Sequence, residues 1–64
     1  MRQKQHWMFK GAIVLANGKK ETITIMQENS LGNVDYVYYI DVKLEGDRHS
    51  GRYHPNDIEE LAIH

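Results

Sequence analysis

The run VDYVYYIDVKL, residues 34–44, constrains the fold more than any other part of this sequence. Valine, isoleucine and tyrosine dominate it, and apolar and polar residues alternate toward its end, which is typical of a half-buried β-strand. Three further runs have strand character, and short turn signals separate all four: HWMFKGAIVLA, ETITIMQ and RHSGRY. The pattern predicts a mainly β protein, a small five-stranded antiparallel barrel, with residues 1–64 as a single domain and residues 1–5 as a flexible arm.

The alternation in this run defines an inner and an outer face of the predicted barrel. The residues expected to face inward are Tyr36, Tyr38, Ile40, Val42 and Leu44. Val37 and Tyr39 have the opposite parity, so we expect them to be exposed.

The chain has 64 residues and no cysteine, so it can form neither a disulfide nor a cysteine-based zinc site. A core this small needs nearly all the apolar residues, which leaves little chain for a deep pocket. The four histidines lack the spacing of metal ligands, and no glycine-rich phosphate loop occurs. We therefore expect no enzyme activity, no metal and no cofactor.

No apolar run approaches the roughly 18–20 residues that a membrane-spanning helix requires. The start, MRQKQHWMFK, is basic but lacks the apolar stretch and the cleavage site of a signal peptide. We expect a cytoplasmic protein with no membrane contact.

Charge is distributed unevenly along the chain, although its net value at pH 7 is only −1. Residues 1–20 carry a net charge of +5, and residues 21–64 carry −6. A basic segment beside an acidic body suits self-association, an acidic partner or nucleic acid. The charge pattern does not decide among these three.

The first turn signal is the Asn-Gly pair at residues 17–18. Asn-Gly is typical of a two-residue type I′ hairpin loop, but that loop would place Phe9 on the face opposite Ile23. A three-residue loop, residues 16–18, gathers the large apolar residues on one face. We therefore predict the three-residue loop.

The Gly-Asp pair at residues 46–47 predicts a second hairpin with a two-residue loop. This loop places Asp41 opposite Arg52 and Glu45 opposite Arg48. Opposite charges facing each other across a strand pair each contribute about 0.2–1 kcal/mol, which supports this register.

Pro55 is the only proline, and it ends the fourth run because it cannot donate to a strand ladder. Two structures for the residues that follow stay open. One is a short helix capped by Asn56 or Asp57, and the other is a 3₁₀ turn at PND followed by a fifth strand, IEELAI.

The run GRYHPNDI, residues 51–58, resembles the corner between the fourth and fifth strands of the SH3-like small barrels. The similar positions are Gly51, Tyr53, Pro55, Asn56 and Ile58. The proline is shifted by one place, Asp57 replaces the usual tyrosine, and the N-terminal Ala-Leu-Tyr-Asp-Tyr motif of eukaryotic SH3 domains is missing. The resemblance implies an SH3-like barrel with a short 3₁₀ or α turn near the C-terminus, and it gives little support to polyproline binding.

The aromatic residues are too numerous to fit inside so small a barrel, and exposed aromatics beside an arginine are common in protein contacts. We expect a small non-enzymatic interaction module, an adaptor, regulator or inhibitor that binds a partner protein through an exposed aromatic patch. Small regulators of bacteria and mobile elements often have chains of this length, which is an association and not a deduction. The expected contact residues are Val37, Tyr39, Arg52, Trp7 and Lys10.

Single-stranded nucleic acid is the alternative partner, because small barrels bind it with aromatic platforms and basic grooves. The residues that would supply the charge are Arg2, Lys4, Lys19 and Lys20. The near-zero net charge argues against this reading, since dedicated binders are usually markedly basic. Self-association through an edge of the sheet is a third alternative.

Overall fold

Six strands form one curled antiparallel sheet in the computed structural model, which describes residues 1–44 and 50–61. The strands are β1 (Arg2–Gln3), β2 (Ile13–Ala16), β3 (Lys19–Leu31), β4 (Val34–Lys43), β5 (Gly51–Tyr53) and β6 (Ile58–Glu60), and a 3₁₀ turn spans Pro55–Asp57. The strand order is β1-β4-β3-β2-β6, and β5 also pairs with β4. The prediction of a small, mainly β antiparallel fold with a short 3₁₀ turn near the C-terminus is confirmed, and the sheet curls into a half-barrel.

The first strand lies in the segment that was expected to be an arm. Arg2 pairs with Val37 and Gln3 with Tyr36, and the Lys4 amide donates to the Asp35 carbonyl at 2.8 Å. Residues 2–4 are therefore tied to β4 by the backbone.

The first hairpin turn differs from the predicted one. Ala16 lies opposite Lys19, so the loop has two residues, and both of them have positive φ: 53° at Asn17 and 75° at Gly18. The prediction of a three-residue loop is wrong, because Asn-Gly supplies the two left-handed conformations that a type I′ turn needs. The cost of this turn is that Phe9 stays exposed.

A first β-bulge interrupts the pairing of β3 with β4. Ile23 lies opposite Val42. Two residues later Ile25 lies opposite Asp41, so Thr24 is an extra residue in β3. The bulge reverses the parity of β3, and Ile25 consequently faces outward.

A second bulge lies in β4. Gln27 lies opposite Tyr39, and the next residue, Glu28, lies opposite Val37. Tyr38 is therefore an extra residue, and it is 40% exposed whereas Val37 is fully buried. The predictions that Val37 is exposed and Tyr38 is inside are both wrong, because the bulge resets the alternation between them.

The core lies on the concave face of the sheet. Ile40 and Val42 are fully buried as predicted, but Leu44 is exposed at the end of the run. The buried apolar residues are Met8, Ala12, Val14, Ala16, Ile23, Val37, Ile40, Val42 and Ile58, and Trp7, Met26 and Tyr53 pack against them.

The corner at Pro55–Asp57 follows the second of the two alternatives, a 3₁₀ turn that leads into a strand. His54, rather than Asn56 or Asp57, is the capping residue, because its Nδ1 accepts from the Asn56 amide at 3.1 Å. Pro55 is buried, and the Ile58 amide donates to its carbonyl. The turn thus directs the chain into β6 beside β2.

Arg2 joins the two ends of the half-barrel. Its Nη1 donates to the carbonyls of Pro55 and Ile58 at 3.2 and 3.3 Å, and its guanidinium carbon lies 5.7 Å from the centre of the Trp7 ring.

Two predictions fall on residues that the structure does not describe. They are the two-residue loop at residues 46–47 and the position of Glu45 opposite Arg48. Residues 62–64, the end of the predicted run IEELAI, also lie outside the described residues.

Candidate functional site

An arginine is held flat on the outer face of β4 and β5. Arg52 lies opposite Asp41, as the sequence predicted, and donates to it through Nε at 2.9 Å and Nη2 at 3.3 Å. Its guanidinium carbon lies 3.8 Å from the centre of the Tyr39 ring. The Asp41 hydrogen bond raises the pKa of Arg52 above its ordinary value, and burial opposes this shift.

The two members of the Asp41–Arg52 ion pair differ in exposure. The carboxylate side chain is only 10% exposed, whereas the Arg52 side chain is 63% exposed. The arginine therefore covers the carboxylate and keeps its own outer plane and remaining N–H groups in solvent.

Two isoleucines extend the same outer face. Ile25 lies opposite Asp41, and Ile13 lies opposite Thr22 at the start of β3. They are 47% and 49% exposed, although β-branched residues of this size are usually buried. We call Ile13, Ile25, Tyr39 and Arg52 the outer-face patch.

The structure brings together only two of the five residues predicted to contact a partner protein, Tyr39 and Arg52. Val37 is in the core and cannot contact a partner. Trp7 packs against the core beside Arg2, away from the patch, and Lys10 is exposed in the turn before β2. Within the described chain no ion pair joins Lys10 to another residue.

The residues predicted to contact nucleic acid do not form one surface. Arg2 is bonded to backbone carbonyls, and Lys4 pairs with Glu28 at 2.5 Å. Lys19 and Lys20 are exposed beside the turn between β2 and β3. Lys20 precedes Glu28, the partner of Lys4, by eight residues of β3, which is about 26 Å along an extended strand. The positive charges are therefore divided between two distant places.

Shallow clefts occur at two places among the described residues. One is lined by Lys4, Glu28, Asn29, Ser30 and Asp35, and the other by Arg2, Trp7, Asn56, Ile58, Glu59 and Glu60. In the first cleft Lys4 bonds to Glu28 and Ser30 bonds to Asp35, so the polar groups there already have internal partners. Among residues 1–44 and 50–61 no group of three histidines, cysteines or carboxylates is placed to hold a metal.

Glu21 is a buried carboxylate on the concave face of the sheet, beside β2. It lies opposite Val14 and is 9% exposed, and its Oε2 has no hydrogen-bond partner among the described residues. The two-residue turn at Asn17-Gly18 fixes this orientation, so the sequence contained the signal for it.

We expect Glu21→Met to stabilise the protein by about 1–2 kcal/mol, because a buried oxygen without a partner loses its hydration and gains nothing in return. Urea unfolding of the two proteins measures the difference. The matched control is Glu28→Met, which removes a half-exposed partner of Lys4 and should change stability by less than about 1 kcal/mol. A lower stability for Glu21→Met would mean that the carboxylate has a stabilising partner.

Sequence reasoning missed Ile13 and Ile25, the apolar part of the patch. Ile13 was visible in the parity of the Asn-Gly turn, whereas the exposure of Ile25 depends on a bulge at Thr24 that has no signal in the sequence. No family model matches the chain, and no curated protein or solved structure matches it either. In the described part of the chain, no helix has the length and apolarity needed to span a bilayer.

Proposed function

We propose that the protein is a non-enzymatic interaction module that binds a partner protein through the outer-face patch. The observation that carries the proposal is the fixed Arg52, held on the Tyr39 ring and by Asp41. The half-exposed Ile25 lies in the same row of the sheet, on the other side of Asp41. Tyrosine and arginine are the residues that most often dominate the energy of protein interfaces.

Preorganisation supports this proposal. A free arginine loses side-chain entropy when a partner immobilises it, at a cost of about 0.5–1.5 kcal/mol. In this chain Asp41 and Tyr39 have already fixed the guanidinium, so binding need not meet that cost. Its Nη1 edge is not used by Asp41 and suits a carboxylate of the partner.

Ile25 and Ile13 supply the apolar part of such a contact. Burying the exposed half of each side chain would contribute roughly 1 kcal/mol. We infer a partner surface that combines an apolar side chain with a carboxylate placed for Arg52.

The SH3-like assignment and a cytoplasmic location are part of the same proposal. The curled antiparallel sheet and the 3₁₀ corner before the last described strand support the first. The absence of cysteine is compatible with the second. Nucleic acid is the less favoured partner, because Arg2 and Lys4 are engaged within the chain.

The test is affinity capture from host lysate at a protein concentration of about 1 µM, with and without nuclease, using wild type and Ile25→Ser. We expect Ile25→Ser to weaken the affinity for the partner about fivefold, with a lower captured amount, and nuclease to have no effect. The partner recovered is then purified, and its dissociation constant is measured for each variant.

Two controls make this test specific. Leu31→Ser removes an apolar side chain that is even more exposed than Ile25, at the far end of β3, and should leave capture unchanged. Arg52→Lys keeps the charge next to Asp41 but loses the planar stack on Tyr39, and it should weaken binding. Equal capture by wild type, Ile25→Ser and Arg52→Lys would exclude the patch, and loss of capture on nuclease treatment would favour nucleic acid.

A further inference from the structure

Strand β3 is much longer than β2, and its second half has one open edge. β2 pairs with residues 19–22, and the last backbone bonds on that side join Ile23 to Gly11 and Ala12. β4 pairs with β3 as far as Leu31. Residues 26–31 therefore have β4 on one side and no described strand on the other, over about 20 Å. We call residues 26–31 the open edge.

The turn after β3 determines which backbone groups point out of the sheet. Leu31 lies opposite Val34 across the two-residue loop at Gly32, which has a φ of 64°, so these two residues bond to each other. Alternate residues of a strand face opposite edges, so the amides and carbonyls of Ser30 and Glu28 point away from β4.

A hydrogen bond supports this orientation independently. The Ser30 amide donates to Oδ1 of its neighbour Asn29 at 2.9 Å. An amide engaged in the β3–β4 ladder would not be available for this bond. The open edge therefore presents backbone donors and acceptors, and the Ser30 amide among them is bonded only to the neighbouring Asn29 side chain.

The other edges of the sheet are shorter. β1 has two residues, and β5 and β6 have three each. The Ile58 carbonyl of β6 is already bonded by Arg2. The open edge has no proline and no lysine, and its single charge, Glu28, is neutralised by Lys4. It thus lacks the features by which proteins usually prevent edge pairing.

We propose that the open edge pairs with the same edge of a second copy of the chain, antiparallel about a twofold axis at Asn29. In this register Glu28 exchanges two backbone bonds with Ser30 of the second copy, and the symmetric pair adds two more. A register centred on Glu28 would place two like charges opposite each other, which is unfavourable. On the outer face, Gln27 then lies opposite Leu31 of the second copy.

The paired segment is short, so the dimer is weak. Five residues from each chain bury much less than the roughly 1,200 Å² of a stable interface. We expect the single chain at about 20 µM and a substantial fraction of dimer at about 1 mM.

Sedimentation equilibrium of the full chain over this concentration range tests the proposal. The weight-average mass should rise toward that of two chains. Ser30→Pro removes an outward amide without removing a backbone bond to β4, and Ser30→Ala is the control for the side-chain bond to Asp35 that is lost with it. Asn29→Lys places two positive charges opposite each other at the axis. Ser30→Pro and Asn29→Lys should each weaken the dimer at least tenfold.

Hydrogen exchange gives a second readout that does not depend on the variants. The amides of Glu28 and Ser30 should exchange more slowly at about 1 mM than at about 20 µM, whereas the Lys20 amide should not change. Ile25→Ser should leave the dimer intact, which separates this contact from the outer-face patch. A single-chain mass at all concentrations, or a dimer that survives both Ser30→Pro and Asn29→Lys, would overturn the proposal.

Discussion

Val37→Asp is expected to leave the chain unfolded at 25 °C, while Tyr38→Asp, at the next position, remains folded. Val37 has no exposed surface and belongs to the core beside Ile40. A carboxylate there would be buried without a partner, at a cost of several kcal/mol. A domain of this size has only about 5 kcal/mol of stability to lose.

Tyr38 is the matched control because the bulge turns its side chain into solvent. Its replacement by aspartate should cost less than about 1.5 kcal/mol. Far-ultraviolet circular dichroism and urea unfolding of both variants measure the difference. If Val37→Asp folded and Tyr38→Asp did not, the bulge would be misplaced and the alternation of β4 would be unbroken.

The positions of the strands could be predicted because they depend on local residue types. β-branched and aromatic runs separated by Gly-containing turns specify strands and hairpins wherever they occur. The position of Asp41 opposite Arg52 was also predictable, because opposite charges that face each other across two strands stabilise the register that brings them together. At Pro55 the missing amide marked the end of a strand, and the choice between helix and strand afterwards needed the structure.

The two bulges could not be predicted. Alternation arguments assume that each residue moves to the opposite face of the sheet from its predecessor, and one extra residue reverses every assignment beyond it. Thr24 and Tyr38 are ordinary strand residues, so their residue types carry no signal for a bulge. The error at Tyr38 is the reason why Val37 was assigned to the contact surface.

The first turn shows a local preference overriding the burial of apolar residues. The three-residue loop was predicted because it gathers the large apolar residues on one face, but Asn17-Gly18 adopts the two-residue loop and leaves Phe9 and Ile13 exposed. The Asn-Gly pair strongly favours the two-residue turn, and a small sheet cannot bury every apolar residue that it carries. The turn preference therefore decides which apolar residues are exposed. The isoleucines of the outer-face patch are the result.

Arg2→Met is expected to destabilise the protein by about 2 kcal/mol and to shift the fluorescence of Trp7 to longer wavelength. Arg2 donates to two carbonyls at the far side of the half-barrel, those of Pro55 and Ile58. Hydrogen bonds from a charged donor contribute more to stability than those from a neutral donor. Methionine has a similar length and an apolar stem, but it can make neither of the two hydrogen bonds. Trp7 lies under the guanidinium and is the only tryptophan, so its emission reports on this region alone.

Lys4→Met separates this effect from a general loss of positive charge in the N-terminal segment. Lys4 pairs with Glu28 at a partly exposed position, so its loss should cost less than about 1 kcal/mol and leave Trp7 emission unchanged. Urea unfolding followed by tryptophan fluorescence measures both quantities in one experiment. Equal midpoints for Arg2→Met and Lys4→Met would mean that β1 is held to the sheet by its pairing with β4 alone, and that the bonds from Arg2 contribute nothing to closing the half-barrel.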